Sequence, residues 1–74
     1  MPKLPIIKPK ELVKIFKKLG FVDYRQKGSH LIMIHLGKTK QIVIPIHNKP
    51  LKKGTLAGIL RQAEISVEDL IKNC

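Results

Sequence analysis

The sequence predicts an α+β fold: one small domain of element order α-β-β-β-α-α, with a three-stranded antiparallel sheet and helices on one face. Three observations carry this expectation. Apolar residues recur at helical spacing near both ends of the chain. Three short segments rich in apolar and β-branched residues lie between them. The connections between those segments are of hairpin length, which joins antiparallel neighbours.

Residues 1–8 read as a basic, extended arm interrupted by Pro2 and Pro5. Pro9 suits the first position of a helix, where its missing N–H is not needed. Leu12, Val13, Phe16 and Leu19 then form one apolar face, with Lys10, Lys14, Lys17 and Lys18 mostly away from it. Gly20 terminates this helix. Phe21 to Gln26 is the first strand, alternating over its first half. Val22 and Tyr24 are expected on one side, Asp23 and Arg25 on the other. After the Lys27-Gly28-Ser29 turn, Leu31 to Leu36 is apolar on both faces, with Ile32 and Ile34 on one and Leu31 and Met33 on the other. Helices can cover only one of these, so the second face is spare.

Residues 37–40 form the next loop, and Gln41 to Ile46 the third strand. Pro45 cannot donate a ladder hydrogen bond, which argues for a sheet edge. Residues 47–51 are a loop, and Thr55 is the expected N-cap of a second helix. Leu56, Ile59, Leu60 and Ala63 give that helix its apolar stripe. Gly58 inside it costs about 1 kcal/mol relative to Ala, so close packing against the sheet is expected there. Ser66 and Asp69 resemble a capping box for a short last helix, Val67 to Lys72.

The 74 residues make a single domain, 1–74. A chain this short buries only about 60% of its unfolded surface. Its one cysteine, Cys74, has no partner for a disulfide or a metal cluster, which fits a reducing cytoplasm. No apolar run approaches the ~18 residues of a membrane span. The start of the chain lacks the apolar block of a signal peptide.

Charge is more informative. Fifteen Lys and Arg oppose five Asp and Glu, a formal net charge of +10. No acidic residue lies between Asp23 and Glu64, a stretch that holds Arg25, Lys27, Lys38, Lys40, Lys49, Lys52, Lys53 and Arg61. Such a field favours a polyanion, with nucleic acid first among the candidates.

Lys27-Gly28-Ser29-His30 concentrates chemistry in four residues. The lysine attracts phosphate, and the glycine lets a ligand approach the backbone. The serine hydrogen-bonds anions, and an imidazole can exchange a proton near neutral pH. The plain alternative is a hairpin turn with an exposed histidine. Two-metal nuclease chemistry needs carboxylates to hold the ions, and the central stretch has none. The glycines fit neither common phosphate-loop fingerprint, and His30, His35 and His47 lack metal-ligand spacing. No cofactor or metal is expected.

Metal-free cleavage of RNA remains open. A base can take the ribose 2′-OH proton while cations stabilise the phosphorane. His30 is the candidate base and His47 a second proton carrier, with ordinary surface histidines as the alternative for His35 and His47.

Several blocks, taken in order, resemble the HicA toxin family. They are Gly20-Phe21, Arg25-Gln26-Lys27-Gly28-Ser29-His30, Val43-Ile44-Pro45-Ile46-His47 and Leu51-Lys52-Lys53-Gly54-Thr55-Leu56, followed by Ile59-Leu60 and Ala63. The resemblance runs from the first helix to Ile65. It implies an αβββα fold like the double-stranded-RNA-binding domain and an mRNA interferase that arrests growth. It also implies a HicB antitoxin that occludes the toxin. The family's catalytic histidine stands in its Gly-Ser-His motif, which matches His30. Many members carry a second histidine directly after it, where this chain has Leu31.

Lys27, Gly28, Ser29, Lys52 and Lys53 are the candidate phosphate contacts. The rival classes are a non-catalytic module for duplex RNA, bridged by Lys52 and Lys53, and a subunit that only binds an acidic partner. A HicB-like antitoxin is expected to bury part of the spare strand face or cover the His30 turn. A homodimer through that face is the alternative.

Overall fold

The computed structural model describes residues 3–74, so the first two residues of the expected arm lie outside it. The elements are α1 (Pro9–Lys18), β1 (Phe21–Lys27), β2 (His30–His35), β3 (Lys40–Pro45), α2 (Lys53–Ala63) and α3 (Val67–Lys72). The strands form one antiparallel sheet in the order β1-β2-β3. This is the expected α+β architecture.

Pairing and burial divide the sheet into two faces. Leu31 opposes Ile44 and Met33 opposes Ile42, and all four are buried. Helices α1 and α2 cover this face through Leu12, Ile15, Phe16, Leu56, Ile59, Leu60 and Ala63. Period-two alternation sends His30, Ile32 and Ile34 to the opposite face. No described helix packs there, and Ile32 and Ile34 remain half-buried. The second strand is therefore apolar on both sides, with one side uncovered, as its sequence predicts.

The first helix starts with Pro9, whose missing N–H costs nothing there. The Lys8 carbonyl accepts from the Glu11 and Leu12 N–H groups at 3.0 and 3.1 Å. The buried stripe is rotated from the expected one. Ile15 enters the core, while Val13 and Leu19 are only partly buried. Leu12, Ile15 and Phe16 satisfy the i, i+3, i+4 spacing that faces the sheet. Gly20 follows with φ 97°, a backbone only glycine adopts easily.

The largest departure is in β1. Asp23 opposes Met33 but Arg25 opposes Ile32, so Tyr24 is the extra residue of a β-bulge. Arg25 is thereby moved from the helix face to the open face, where Val22 and Tyr24 already lie by alternation. The expected pairing of Arg25 with Asp23 on one side is wrong for this reason. Asp23 stays on the helix side, with its Oδ2 3.7 Å from the Lys17 Nζ of α1.

Other boundaries shift by a residue or two. The second strand begins at His30 and ends at His35, leaving Leu36 in the loop, 75% exposed. The third strand is an edge strand ending at Pro45, consistent with the missing donor. Thr55 is not an N-cap. The second helix starts at Lys53, and the Lys52 carbonyl accepts from Leu56 N–H at 2.9 Å. The chain before it is pinned, since Leu51 is buried and its N–H donates to the Ile7 carbonyl at 2.8 Å. The helix can then begin as soon as this anchor ends.

Close packing at Gly58 is also absent, because a Cβ there would meet nothing within 4 Å. The helix ends on Glu64 in the left-handed conformation, φ 57°. Ser66 caps α3, its Oγ accepting from Asp69 N–H at 3.1 Å, and Leu70 anchors that helix in the core.

Candidate functional site

The Lys27–His30 hairpin has two loop residues, Gly28 and Ser29. Gly28 has φ 62°, the left-handed sign that tight hairpins need. Gln26 braces the turn, its Nε2 donating to the Gly28 carbonyl at 3.2 Å. The Ser29 carbonyl accepts from Ile46 N–H at 2.6 Å. That bond ties the turn to the chain leaving β3, past the proline that cannot donate. Nothing lies within 4 Å of where a Gly28 Cβ would sit, so the backbone there is open to a ligand.

Lys27 and His30 are the closing pair of the hairpin, and His30 also opposes Pro45 of β3. Directly opposed residues hold their Cβ atoms about 5 Å apart on one face. The ammonium and the imidazole therefore rise side by side from the open face of the sheet. Both residues are exposed. Among the described residues, no side chain hydrogen-bonds or ion-pairs with either. The pair is an amine and an imidazole without side-chain partners among the described residues.

The hairpin unites Lys27, Gly28, Ser29 and His30. The remaining candidates lie beyond Pro45. A hollow of about 330 Å³ is lined by Pro45, His47, Lys49, Pro50, Leu51, Lys52 and Thr55. It continues from the end of the His30 row, so His47 and Lys52 share a depression whose near wall is the residue opposite His30. His47 is oriented by its own loop, with Nδ1 accepting from Lys49 N–H at 3.3 Å. Its Nε2 has no hydrogen-bond partner among the described residues. Lys53 does not line this hollow; it is exposed in the first turn of α2.

His35 is separate from this group. It lies on the helix face, edge-on to Phe21 with ring centroids 5.1 Å apart. Its Nδ1 accepts from Gly37 N–H at 3.1 Å, and its Nε2 would stand 2.7 Å from a Cβ on Gly20. It joins the α1–β1 corner to the β2–β3 loop, so it is structural rather than an incidental surface histidine.

The basic stretch is also less uniform than its composition suggests. Lys40 Nζ lies 2.9 Å from Glu64 Oε2, so the acidic residue that bounds the stretch folds back onto it. The Lys40 ammonium, hydrogen-bonded to the carboxylate and adding its charge, holds Glu64 below the usual glutamate range. Among the described residues, no three His, Cys, Asp or Glu side chains come together as metal ligands. None of the described helices is long and apolar enough to cross a membrane.

Sequence reasoning placed Tyr24 with Val22 as found, but missed Arg25 on the open face and the role of Pro45 as neighbour to His30. The one signal for the bulge was that alternation in β1 holds only over its first half.

A family profile described as HicA toxin of bacterial toxin-antitoxin matches residues 9–65. The match spans α1 to the residue after the left-handed Glu64, and so includes the whole sheet and the hairpin with His30. Individual curated proteins give no match to the chain. By the extent of the profile match, the chain belongs to the HicA toxin family of bacterial toxin–antitoxin systems.

Proposed function

We propose that the chain is a metal-independent endoribonuclease of the mRNA-interferase kind, acting in the cytoplasm on translated messages. The observation that carries this reading is the Lys27–His30 pair on an uncovered face beside an open glycine backbone. His30 takes the proton from a ribose 2′-OH. The 2′-oxygen then attacks the adjacent phosphorus, and the bond to the 5′-oxygen breaks. His47, across Pro45, is the candidate donor of the proton that the leaving oxygen needs. Lys27 and the Gly28–Ser29 backbone hold the phosphate and stabilise its developing charge. Lys52 and Lys53 contact phosphates further along the strand.

DNA lacks the 2′-hydroxyl and should be spared. The products should be a 2′,3′-cyclic phosphate and a 5′-hydroxyl. Cleavage of a transcript by the purified chain in EDTA, with those ends, is the expected result. Abolition by EDTA with rescue by magnesium would refute the mechanism. The rival reading, a silent module for duplex RNA, would leave transcripts intact while retaining affinity through Lys52 and Lys53.

The partner proposed is a HicB-like antitoxin carrying carboxylates around an apolar centre. Such a surface would complement Ile32, Ile34 and the cations beside them, and electrostatic steering would speed its arrival. It inhibits by occluding the open face or the His30 turn. Titrating cleavage with the product of the adjacent gene tests this. Tight binding with activity undiminished would show that occlusion is wrong, and dimerisation of the chain alone through this face would favour the homodimer.

A further inference from the structure

The bulge in β1 changes what the open face can bind. Without it, Arg25 would face α1 and the open side of this strand would lose its central cation. With it, Arg25 opposes Ile32, one strand-row beyond the Lys27–His30 pair, and Tyr24 is the extra, unpaired residue beside it. Tyr24 is the sole tyrosine of the chain and is 63% exposed. The acidic residue of this strand, Asp23, faces the other way, towards Lys17. The open face thus presents an aromatic ring, a guanidinium and an apolar floor, with no carboxylate on β1, β2 or β3 directed to that side.

This geometry points to a base-binding platform. We infer that single-stranded RNA lies across the open face, with the base next to the scissile phosphate stacked on Tyr24 and Arg25. The inference deepens the ribonuclease reading and rests on it for the position of the scissile phosphate. The physical reasons are specific. An exposed aromatic beside an arginine stacks an unpaired base, whatever its identity. A base paired in a duplex is not free to lie flat on a sheet. Arg25 sits two residues from Lys27, about 7 Å along the strand, so one can hold a base while the other holds the neighbouring phosphate. Tyr24 and Arg25 are then positioning residues for substrate, while proton transfer stays with His30.

The test is fluorescence anisotropy with a labelled RNA octamer and a hairpin duplex, in a His30→Ala background that prevents cleavage. Tyr24→Ala should weaken octamer binding about 5- to 150-fold, the range for losing one base–aromatic stack. Tyr24→Phe should retain the affinity. Arg25→Gln should weaken it and flatten the salt dependence by somewhat less than one counterion. Duplex affinity should change little in any variant. Unchanged octamer binding in both Tyr24→Ala and Arg25→Gln would overturn the inference, as would equal losses for octamer and duplex. So would a loss of affinity for the antitoxin alone, which would make the platform a protein site. Cleavage by the otherwise wild-type chain is measured alongside. If it cuts RNA while Tyr24→Ala binds normally, the platform fails and the ribonuclease reading stands. If binding depends on Tyr24 but no RNA is cut, the platform stands and the ribonuclease reading fails.

Discussion

Replacing Gly20 with alanine should destabilise the domain well beyond an ordinary surface change, for two separable reasons. Gly20 holds φ 97°, where an L side chain is strained, at a cost of about 1–3 kcal/mol. Its new Cβ would also stand 2.7 Å from His35 Nε2, and overpacking of this kind costs about 1–3 kcal/mol. The His35 ring is fixed by Phe21 and by the Gly37 N–H, so it can yield only by giving up those contacts. A total of about 2–4 kcal/mol is expected, allowing some relaxation. Domains of this size have roughly 4–11 kcal/mol in all, so the loss is a large share.

Each kcal/mol shifts Tm by about 4–8 °C, and the drop should reach about 10 °C or more by circular dichroism. The double variant Gly20→Ala/His35→Ala should lose less than the sum of the two singles, because the clash is then gone and only the backbone strain remains. Gly58→Ala should act in the opposite direction, gaining about 0.5–1 kcal/mol, since that site is helical and a Cβ there meets open space. A Gly20→Ala melting curve superimposable on wild type would refute the packing account of the α1–β1 corner. So would losses that add fully in the double variant.

The other expectations concern charge and the last helix. RNA binding should weaken with salt at a slope near −0.7 per phosphate neutralised, and the Lys27→Ala/Lys52→Ala/Lys53→Ala variant should flatten it; an unchanged slope would place the RNA elsewhere. The Lys40–Glu64 pair lowers the folded-state pKa of Glu64, so its contribution is present above the ordinary glutamate range and lost as pH falls through the lowered value. The Tm difference between wild type and Lys40→Ala should therefore be small, visible near neutral pH and absent in strong acid. An equal difference at both pH values would contradict the assignment. Leu70→Ala should cost about 2–5 kcal/mol, because Leu70 is fully buried despite lying beyond the profile match. A change under about 0.5 kcal/mol, the surface level, would mean that α3 is dispensable.

Much of the fold was legible because local and global signals agree. Pro9 and Gly20 bracket α1, and the stripe Leu56, Ile59, Leu60, Ala63 is the buried face of α2 residue for residue. Ser66 caps α3 through Asp69 as its spacing implies. What the sequence concealed depends on tertiary context. A bulge adds one residue without changing composition, so apart from the loss of alternation after the first half of β1, the sequence does not show that Arg25 switches faces. Thr55 has the chemistry of a cap, but the chain is anchored by the Ile7–Leu51 hydrogen bond and the helix starts three residues earlier, with Lys52 at the cap position. Gly58 suggested tight packing where there is open space, because a glycine's absent side chain has no signature of its own. At the site, the grouping of Lys27, Gly28, Ser29 and His30 follows from their adjacency in sequence, whereas the pairing of Lys27 with His30 depends on both strands extending one residue into the expected turn. The contribution of Pro45 required the β2–β3 register, which links residues far apart in sequence.

The most direct test of the ribonuclease account is the His30→Ala variant, assayed for RNA cleavage and RNA affinity on the same preparation. His30 is exposed and its side chain has no partner among the described residues, so its removal should leave the fold and the binding intact. Cleavage should fall about 10²–10⁴-fold, the usual contribution of a positioned proton acceptor, and growth arrest should vanish with it. Purified His30→Ala that cuts RNA at the wild-type rate would contradict the account.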